Sequence, residues 1–123
     1  MKRDWDVIRQ ALSEIEEMPP QKREGFSVVL RHGEQDEERR ALAEHVFLLY
    51  EAGFLNGVDG GSFEGRTLLS PNLTWAGHDL LATLRSQRVW DRIKSVAQEK
   101  GIDLTFDAVK SLGKMALDWV ITN

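Results

Sequence analysis

The 123-residue sequence contains no cysteine and only three prolines. Without thiols the chain can form neither a disulfide framework nor a thiolate metal site, and it is compatible with a reducing compartment. No stretch approaches the roughly 20 consecutive apolar residues that a membrane-spanning helix requires. The start, MKRDWDVIRQ, is charged and periodic, which is unlike a secretory signal. The composition therefore predicts a soluble, cytoplasmic protein with no membrane partner.

Positive charge is scarce in the first part of the chain. Residues 1–53 contain 8 Lys and Arg against 12 Asp and Glu, residues 54–80 contain 1 against 3, and residues 81–123 contain 7 against 5. Because Lys and Arg that neutralise phosphates supply much of the affinity for a DNA duplex, this distribution weakens a nucleic-acid function without removing it. A chain of this length supports one ordinary core, so a single domain over residues 1–123 is expected.

The first 36 residues predict a helix followed by a short strand. Apolar residues at steps of three and four place one face of the helix in the core. They are Trp5, Ile8, Leu12 and Ile15. Pro19 and Pro20 end this helix. Residues 25–32 alternate apolar and polar side chains, which predicts a strand.

A second helix is predicted over residues 37–52, capped by Asp36 and ended by Gly53. Because successive residues of a helix turn by about 100°, Leu42, Val46 and Leu49 fall on one core-facing line. The opposite line and its flanks comprise Glu37, Arg40, Glu44, Phe47, Leu48 and Glu51. Arg40 is spaced to pair with Glu37 and Glu44, which leaves little positive charge free for a phosphate.

The glycine-rich segment NGVDGGSFEGR, residues 56–66, predicts the tip of a β-hairpin. The return strand is expected to run through Leu68 and Leu69 and to end at Pro71. A phosphate-binding loop is the alternative for such a stretch, but no Gly-Lys-Ser/Thr ending follows it. The charged residues of the segment are Asp59, Glu64 and Arg66. This hairpin therefore has a poor capacity to hold a DNA backbone.

Three further helices are predicted over residues 75–123. Thr74 caps the first, whose Trp75, Leu81 and Leu84 are expected to turn inward. The second ends at Gly101 and the third begins near Thr105. The four tryptophans, Trp5, Trp75, Trp90 and Trp119, all fit helical core stripes, with a base-stacking role as the second interpretation.

The order of elements predicts an α+β fold. It consists of a winged-helix-like part in residues 1–74, with helix, strand, helix and a β-hairpin wing, followed by three C-terminal helices in residues 75–123. One feature departs from a standard winged helix. Between the strand ending near His32 and the helix beginning at Glu37 there is almost no room for the usual intermediate helix, which normally braces against the DNA backbone.

Four segments together resemble domain of unknown function family 2513, which comprises uncharacterised small bacterial and phage proteins. They are KRDWDVIRQALSEIEE, LLYEAGFL, LTWAGHDLL and VWDRIKSVAQEKG. The resemblance covers nearly the whole chain. It implies a compact α+β protein of helix-turn-helix character, common in phages and prophages, and it lends no catalytic residue.

No enzymatic activity, metal or cofactor is expected. His32, His45 and His78 are far apart in the sequence, and none has a metal-ligand spacing such as His-x-x-x-His. Packing is the favoured role of His45, and a local hydrogen bond near Thr74 is the favoured role of His78. Asp79 beside His78 does not make a dyad, because neighbours in a helix point about 100° apart.

Two functional hypotheses follow from these patterns. The first is a phage- or mobile-element-type transcriptional regulator that inserts helix 37–52 into double-stranded DNA, with Arg39 and Arg40 near its start and Arg66 on the wing. The second is a protein-binding module without DNA binding, in which the acidic helix engages a host or phage protein. Its surface would present Glu44, with Phe47 and Leu48 as apolar anchors. Homodimerisation through the C-terminal helices is a further use of the second kind.

Overall fold

The computed structural model describes the backbone of residues 1–123 and every side chain except that of Ser62. The chain forms two compact units, Met1–His78 (unit 1) and Asp79–Asn123 (unit 2). The elements are α1 Trp5–Glu17, α2 Pro20–Arg23, β1 Ser27–Arg31, α3 Glu37–Glu51, β2 Leu55–Ser62, β3 Gly65–Leu73, α4 Trp75–Arg85, α5 Gln87–Lys100 and α6 Phe106–Thr122. The predicted α+β class and the winged-helix-like order are confirmed.

α1 begins where the sequence supplies a cap. The carboxylate of Asp4 accepts hydrogen bonds from the backbone amides of Asp6 and Val7, at 2.9 and 3.3 Å. A cap of this kind satisfies amides that have no partner within the helix. The predicted core face is confirmed, because Ile8 and Leu12 are fully buried.

A four-residue helix that the sequence analysis missed follows α1. α1 ends at Glu17, before the two prolines as predicted, but Pro20 then begins α2 because proline suits the first position of a helix. Residues 32–36 between β1 and α3 form no helix, which confirms the expected lack of an intermediate helix. α3 therefore has no helix directly before it of the kind that braces a helix-turn-helix on DNA.

The three strands form one antiparallel sheet in the order β1-β3-β2. Val28 of β1 lies opposite Leu68 of β3, and Val58 of β2 lies opposite Leu69. Since successive side chains point to opposite faces of a strand, the buried Leu68 marks the inner face and the exposed Leu69 marks the outer face. α3 packs against β1 and β2, and α1 packs against β3 and α3.

The hairpin turn is shorter than predicted. The prediction that the whole segment 56–66 forms the tip is wrong, since β2 continues through the glycines to Ser62 and only Phe63 and Glu64 form the turn. Pro71 lies inside β3 and does not end it. The register of β2 and β3 shifts between Asn56 and Val58, and Ser70 has a φ of +50°. A bulge of this kind lets a strand accept a proline.

α3 forms the centre of unit 1. Asp36 caps it through hydrogen bonds from the amides of Glu38 and Arg39, at 3.0 and 3.1 Å, as predicted. Val46 and Leu49 are buried as predicted, and each such side chain contributes about 1.5–3 kcal/mol when it leaves water. The predicted core position Leu42 is only half-buried.

Thr74 joins the end of α3 to the start of α4. Its hydroxyl donates a hydrogen bond to the carbonyl oxygen of Gly53 at 2.7 Å and accepts one from the amide of Gly77 at 3.1 Å. The predicted cap is therefore confirmed, and the same hydroxyl also satisfies a carbonyl just after α3. Gly53 has a φ of +87°, the left-handed conformation that ends a helix.

Unit 2 consists of most of α4 together with α5 and α6, and α5 packs against α6. Ser86 and Thr105 cap the two later helices, and Gly101 ends α5 with a φ of +66°, as predicted. The buried apolar side chains are Leu80, Leu81, Leu84, Val89, Trp90, Ile93, Ala97, Val109, Leu112 and Ala116. The three predicted C-terminal helices are confirmed.

The tryptophans differ in burial. Trp90 is buried and Trp5 is half-buried, but Trp75 is 86% exposed and Trp119 is 38% exposed. The prediction that all four lie in core stripes is therefore wrong for Trp75 and Trp119. Trp75 is the first residue of α4, before the buried leucine stripe begins. The guanidinium of Arg92 covers the ring of Trp119 at 4.5 Å from its centroid, a contact that stabilises a partly exposed indole.

Candidate functional site

Arg66, predicted to contact DNA from the wing, is held by groups of unit 1 itself. Its guanidinium donates two hydrogen bonds to the carboxylate of Asp59, at 3.1 and 2.8 Å, and one to Glu51 at 2.6 Å. It also lies over the ring of Phe47, 4.3 Å from the centroid. The side chain thus ties the wing to the end of α3, and a phosphate would have to compete with two carboxylates for it.

The ionisation of this cluster agrees with its geometry. The hydrogen bonds from Arg66 hold the pKa of the Asp59 carboxyl below its ordinary value. The hydrogen bonds to Asp59 and then to Glu51 raise the pKa of the Arg66 guanidinium. Asp59 and Arg66 are therefore both charged at neutral pH, and the Arg66 guanidinium has two carboxyl groups as hydrogen-bond acceptors.

Phe47, predicted as an exposed anchor, belongs to the core. Its side chain is only 3% exposed, and the guanidinium of Arg66 covers it. The prediction of an exposed Phe47 is wrong because α3 packs on α1 as well as on β1 and β2, which widens its buried face beyond one line of residues. Leu48 and Glu44 are half-buried.

Arginines gather at the other end of α3. Arg39 and Arg40 line a small recess together with Arg31, and its remaining lining residues are Val29, Leu30, Glu34 and Ala43. The predicted pairing of Arg40 with Glu37 and Glu44 is not found among the described residues. Arg39 instead lies 3.9 Å from the Asp36 carboxylate, and Arg31 hydrogen-bonds Glu64 at 2.8 Å. The structure therefore brings Arg39 and Arg40 together and leaves Arg66 at the wing.

Apolar side chains occupy the outer face and the tip of the wing. Val58 is 62% exposed, Leu69 is 43% exposed and Phe63 is fully exposed. Val58 and Leu69 are directly opposite each other on neighbouring strands, so their side chains are adjacent. We call Val58, Phe63 and Leu69 the wing surface. A wing that holds DNA needs Lys or Arg in these positions, whereas this wing presents side chains that water solvates poorly.

His45 has a structural position. The side chain is buried, its Nδ1 donates to the carbonyl oxygen of Ala41 at 2.6 Å, and its Nε2 accepts a hydrogen bond from the amide of Asp4 at 2.9 Å. Each ring nitrogen is therefore used, and the neutral tautomer with hydrogen on Nδ1 fits both partners. The predicted packing role of His45 is confirmed.

His78 lies at the surface beside α1. Its backbone amide donates to the carbonyl oxygen of Thr74 at 2.9 Å, and its Nδ1 lies 3.5 Å from a carboxylate oxygen of Glu16. The ring of Trp75 stands 6.1 Å away, centroid to centroid. The local hydrogen bond with Thr74 is thus made by the backbone of His78. That the His78 side chain serves folding stays a prediction.

α6 carries a second group of exposed apolar side chains. They are Met115, Leu117, Trp119 and Ile121, with exposures from 38% to 72%. Leu117 and Ile121 are four residues apart and therefore share one face of the helix. The predicted dimer surface thus has apolar residues available within unit 2.

Two properties of the described residues bear on chemistry. No group of three or more His, Asp or Glu side chains among them is arranged to hold a metal ion. Within the same part of the chain, none of the helices is both long and apolar enough to cross a membrane.

Comparison with known proteins gives a family without an activity. The family model described as "Hypothetical protein (DUF2513)" matches residues 2–103. The chain belongs to the DUF2513 family. An uncharacterised protein of Haemophilus influenzae is 31% identical to it over 121 residues, which cover 98% of this chain and 99% of that protein. No solved structure matches the chain. The resemblance seen in the sequence is confirmed, and the function has to be inferred from the structure.

The wing surface of this DUF2513 protein is the feature that sequence reasoning missed. Residues 56–66 contain five polar or charged side chains and four glycines, which indicated a turn, and Val58 alone gave no pattern. The signal that could have found the wing surface was the pairing of β2 with β3. Once the turn is placed at Phe63 and Glu64, the register puts Val58 beside Leu69 on the face that does not pack on α3.

Proposed function

We propose that this DUF2513 protein is a protein-binding module, neither an enzyme nor primarily a DNA-binding protein, and that it engages its partner through the wing surface. One observation carries the proposal. The wing uses its Arg66 internally, against Glu51, Asp59 and Phe47, while it exposes Val58, Phe63 and Leu69. These are the side chains of a protein interface and not those of a phosphate contact.

The physical driving force is the removal of apolar surface from water. Each exposed aliphatic or aromatic side chain of the wing surface gains about 1.5–3 kcal/mol when a partner buries it fully. Contiguous exposed apolar side chains with a polar rim mark interaction sites in soluble proteins. Here Glu64 lies beside Phe63 in the turn and pairs with Arg31 at 2.8 Å, so the tip of the wing is polar next to its exposed aromatic ring.

The acidic helix α3 has a different role in this proposal from the one expected from the sequence. Phe47 is unavailable as an anchor because it is buried. Glu37 and Glu38 remain exposed in the first turn of α3. They attract a partner of opposite charge and raise its association rate, while the wing surface supplies the affinity.

The test is capture of a partner by matched variants of the full chain. The wild type, a wing variant with Val58→Ser, Phe63→Ser and Leu69→Ser, and a control with Ile102→Ser and Met115→Ser are immobilised and exposed to host lysate. The control removes two apolar side chains of unit 2 that are 43% and 60% exposed. Wild type and control should retain the same protein, and it should stay bound between about 50 and about 500 mM salt, because apolar contacts are not screened. The wing variant should lose it. Equal retention by all three would contradict the proposal.

A DNA-binding regulator of phage or mobile-element type is the second candidate, and the arginine recess favours it. Arg31, Arg39 and Arg40 line one concave surface at the start of α3, the end of the helix that a winged helix places in the major groove. The recess also holds Glu34, and Arg31 and Arg39 are already close to carboxylates. Its supply of free positive charge is therefore small.

Salt dependence separates the two candidates. Titration into a labelled random duplex at about 50 mM and about 200 mM salt should show a steep loss of affinity if phosphate contacts carry binding. The double variant Arg39→Ala and Arg40→Ala should then abolish binding at the lower salt, while Lys22→Ala and Arg88→Ala, which remove charge elsewhere, should not. No binding at the lower salt would exclude the regulator.

Self-association through α6 is a third property that we propose, supported by the exposed Leu117 and Ile121. Two copies that bury these side chains gain apolar contact along one helix face. Sedimentation velocity should show a dimer for the wild type and a monomer for Leu117→Ser with Ile121→Ser. A wild type that stays monomeric at about 100 μM would contradict this proposal, because its free energy of dimerisation would then be weaker than about 5.5 kcal/mol.

A further inference from the structure

β2 is an edge strand. The sheet order β1-β3-β2 places β3 in the middle, so β2 has a hydrogen-bonded neighbour on one side only. Along its other side, alternate residues direct their backbone N–H and C=O groups away from the sheet. Such an edge is a template for another extended chain.

The edge formed by β2 is more accessible than the edge formed by β1. β2 has eight residues and β1 has five. Positions 58–61 of β2 are all exposed, whereas residues 27–30 of β1 are half-buried. A Cβ atom added at Gly60 or Gly61 would meet nothing within 4 Å. Another backbone can therefore approach β2 closely at these two positions.

The devices by which proteins usually block an edge strand are missing from most of β2. Its sequence, LNGVDGGS, contains no lysine and no proline. The charge that it does carry, on Asp59, is directed to Arg66 of β3 by two hydrogen bonds. The bulge lies near the start of the strand, between Asn56 and Val58, and leaves the later residues in regular register. Because an unblocked edge strand tends to pair with another chain, this edge is a candidate site for strand addition by a partner.

We infer that an extended segment of a partner protein adds to the sheet as a fourth strand along β2. The inference rests on the proposed function and specifies how the partner binds. Main-chain hydrogen bonds to β2 would give affinity, and side chains at alternate positions of the added strand would lie beside Val58 on the outer face. The partner segment therefore has apolar residues at alternate positions.

The charge of unit 1 selects a basic segment. Residues 1–78 contain 9 Lys and Arg against 14 Asp and Glu. A partner with Lys or Arg between its apolar residues is attracted to this unit, whereas a second copy of β2 would bring the same negative charge. A second copy would also place glycines, and not apolar side chains, along much of the new pair. The occupant is thus a basic, apolar segment of a different protein.

A synthetic peptide tests the inference on the full chain. The probe is a ten-residue peptide of alternating valine and lysine with blocked ends. The matched controls are alternating proline and lysine, which has the same charge but cannot form a strand, and alternating valine and glutamate, which reverses the charge. The first peptide should bind at least about tenfold more tightly than either control, a difference of about 1.4 kcal/mol. Equal binding of the proline peptide, or no binding of the valine–lysine peptide up to about 1 mM, would overturn the inference.

Two proline variants locate the binding edge. Since amide directions alternate along a strand, one of Gly60 and Gly61 has its N–H toward β3 and the other has it toward the free edge. Of Gly60→Pro and Gly61→Pro, the variant that keeps the wild-type melting temperature should lose the peptide. Gly60→Ala and Gly61→Ala keep the amide and should bind normally. Normal peptide binding by a correctly folded proline variant at the free edge would overturn the inference.

Hydrogen exchange gives a result even if both proline variants unfold. In the wild type the valine–lysine peptide should slow amide exchange in residues 56–61 at least about tenfold and leave residues 27–31 unchanged. Slowing in β1, or no slowing in β2, would contradict strand addition. If amide exchange in β2 slows when the protein is concentrated without peptide, and sedimentation shows a dimer, a second copy occupies the edge and the inference is wrong.

The failure of the inference and the failure of the proposed function can be told apart. If the wing variant loses its protein partner but the peptide does not slow exchange in β2, strand addition is wrong and the proposed function stands. If the wing variant keeps its partner, the proposed function itself fails.

Discussion

At the scale of single residues, two polar side chains connect elements of unit 1 that are distant in the sequence. His45 on α3 accepts a hydrogen bond from the amide of Asp4, the residue that caps α1. Arg66 on β3 connects Asp59 on β2 with Glu51 at the end of α3. His45 is buried whereas Arg66 is charged and partly exposed, so the two respond differently to substitution.

We expect His45→Ala to lower the free energy of unfolding by about 3 kcal/mol, because it leaves a cavity and deprives the Asp4 amide of its acceptor. His45→Gln should recover part of the loss, since a side-chain oxygen can accept the same bond. Urea unfolding provides the measurement, and the exposed His32→Ala serves as the control. Equal stability of His45→Ala and wild type would show that the buried ring contributes nothing.

We expect the free energy of unfolding to depend on pH through the Asp59 carboxylate and to fall in acid. Its pKa is lowered from an ordinary value of 3.8 by the hydrogen bonds from Arg66, so its contribution to stability is complete above about pH 5 and is lost as the pH falls through the lowered pKa. Urea unfolding between about pH 2 and pH 7 should show a shallower acid loss for Asp59→Asn than for wild type. Glu24→Gln, at an exposed position of unit 1, should keep the wild-type slope. A wild-type slope in Asp59→Asn would contradict this assignment.

At the scale of elements, α3 and the wing form one assembly. The wing contacts the end of α3 through Arg66, which hydrogen-bonds Glu51 and lies over Phe47. The start of α4 packs on the segment that follows α3, where Thr74 hydrogen-bonds Gly53 and Gly77 lies against Phe54. α3 therefore has neighbours on several sides, and its exposed surface lies mainly in its first turn, at residues 37–40. The wing surface is formed by strands, and its orientation is set by this support.

Two adjacent residues of α3 test which of its faces is buried. Phe47→Ala should destabilise the protein by about 3–5 kcal/mol, because it empties a buried position. Leu48→Ala should cost less than about 1.5 kcal/mol, since Leu48 is only half-buried. Thermal and urea unfolding of both variants provide the comparison. Losses below about 1.5 kcal/mol in both variants would contradict the burial of Phe47 and support two equivalent surface positions.

Gly77 tests the junction of α3, the wing and α4. A Cβ at this position would lie 2.1 Å from the carbonyl oxygen of Phe54, which is backbone and cannot rotate away. We expect Gly77→Ala to lose about 2–4 kcal/mol although alanine favours helices. Gly60→Ala, where the added atom meets nothing, should change stability by less than about 1 kcal/mol. A wild-type melting temperature for Gly77→Ala would contradict the close approach of residue 77 to the carbonyl oxygen of Phe54.

At the scale of the whole molecule, local signals predicted the fold well. Asp36, Thr74 and Thr105 act as helix caps, Gly53 and Gly101 end helices, and the element order is winged-helix-like. Caps and glycine stops are properties of a few neighbouring residues, so the sequence contains them directly. The four-residue α2 was missed because one helical turn has no periodicity.

The candidate site could be predicted only in part, because exposure depends on packing between distant elements. Arg39 and Arg40 do meet at one recess, but the burial of Phe47 depends on α1, β1 and β2 together. Arg66 was predicted as a DNA- or partner-binding residue, and its engagement by Glu51 and Asp59 was missed because these residues are 15 and 7 positions away. The wing surface depends on the β2-β3 register, which is set by a turn shorter than the predicted one. Each error is a long-range contact that no local pattern contains.

Photocrosslinking compares the wing directly with the start of α3. Benzoylphenylalanine is placed in the full chain at position 63, at position 39 and, as a control in unit 2, at position 88, and the cells are irradiated. We expect a defined protein adduct from position 63, and none or a weaker one from the other two positions. An adduct with nucleic acid from position 39, together with no protein adduct from position 63, would contradict the claim that this winged-helix frame binds protein through its wing.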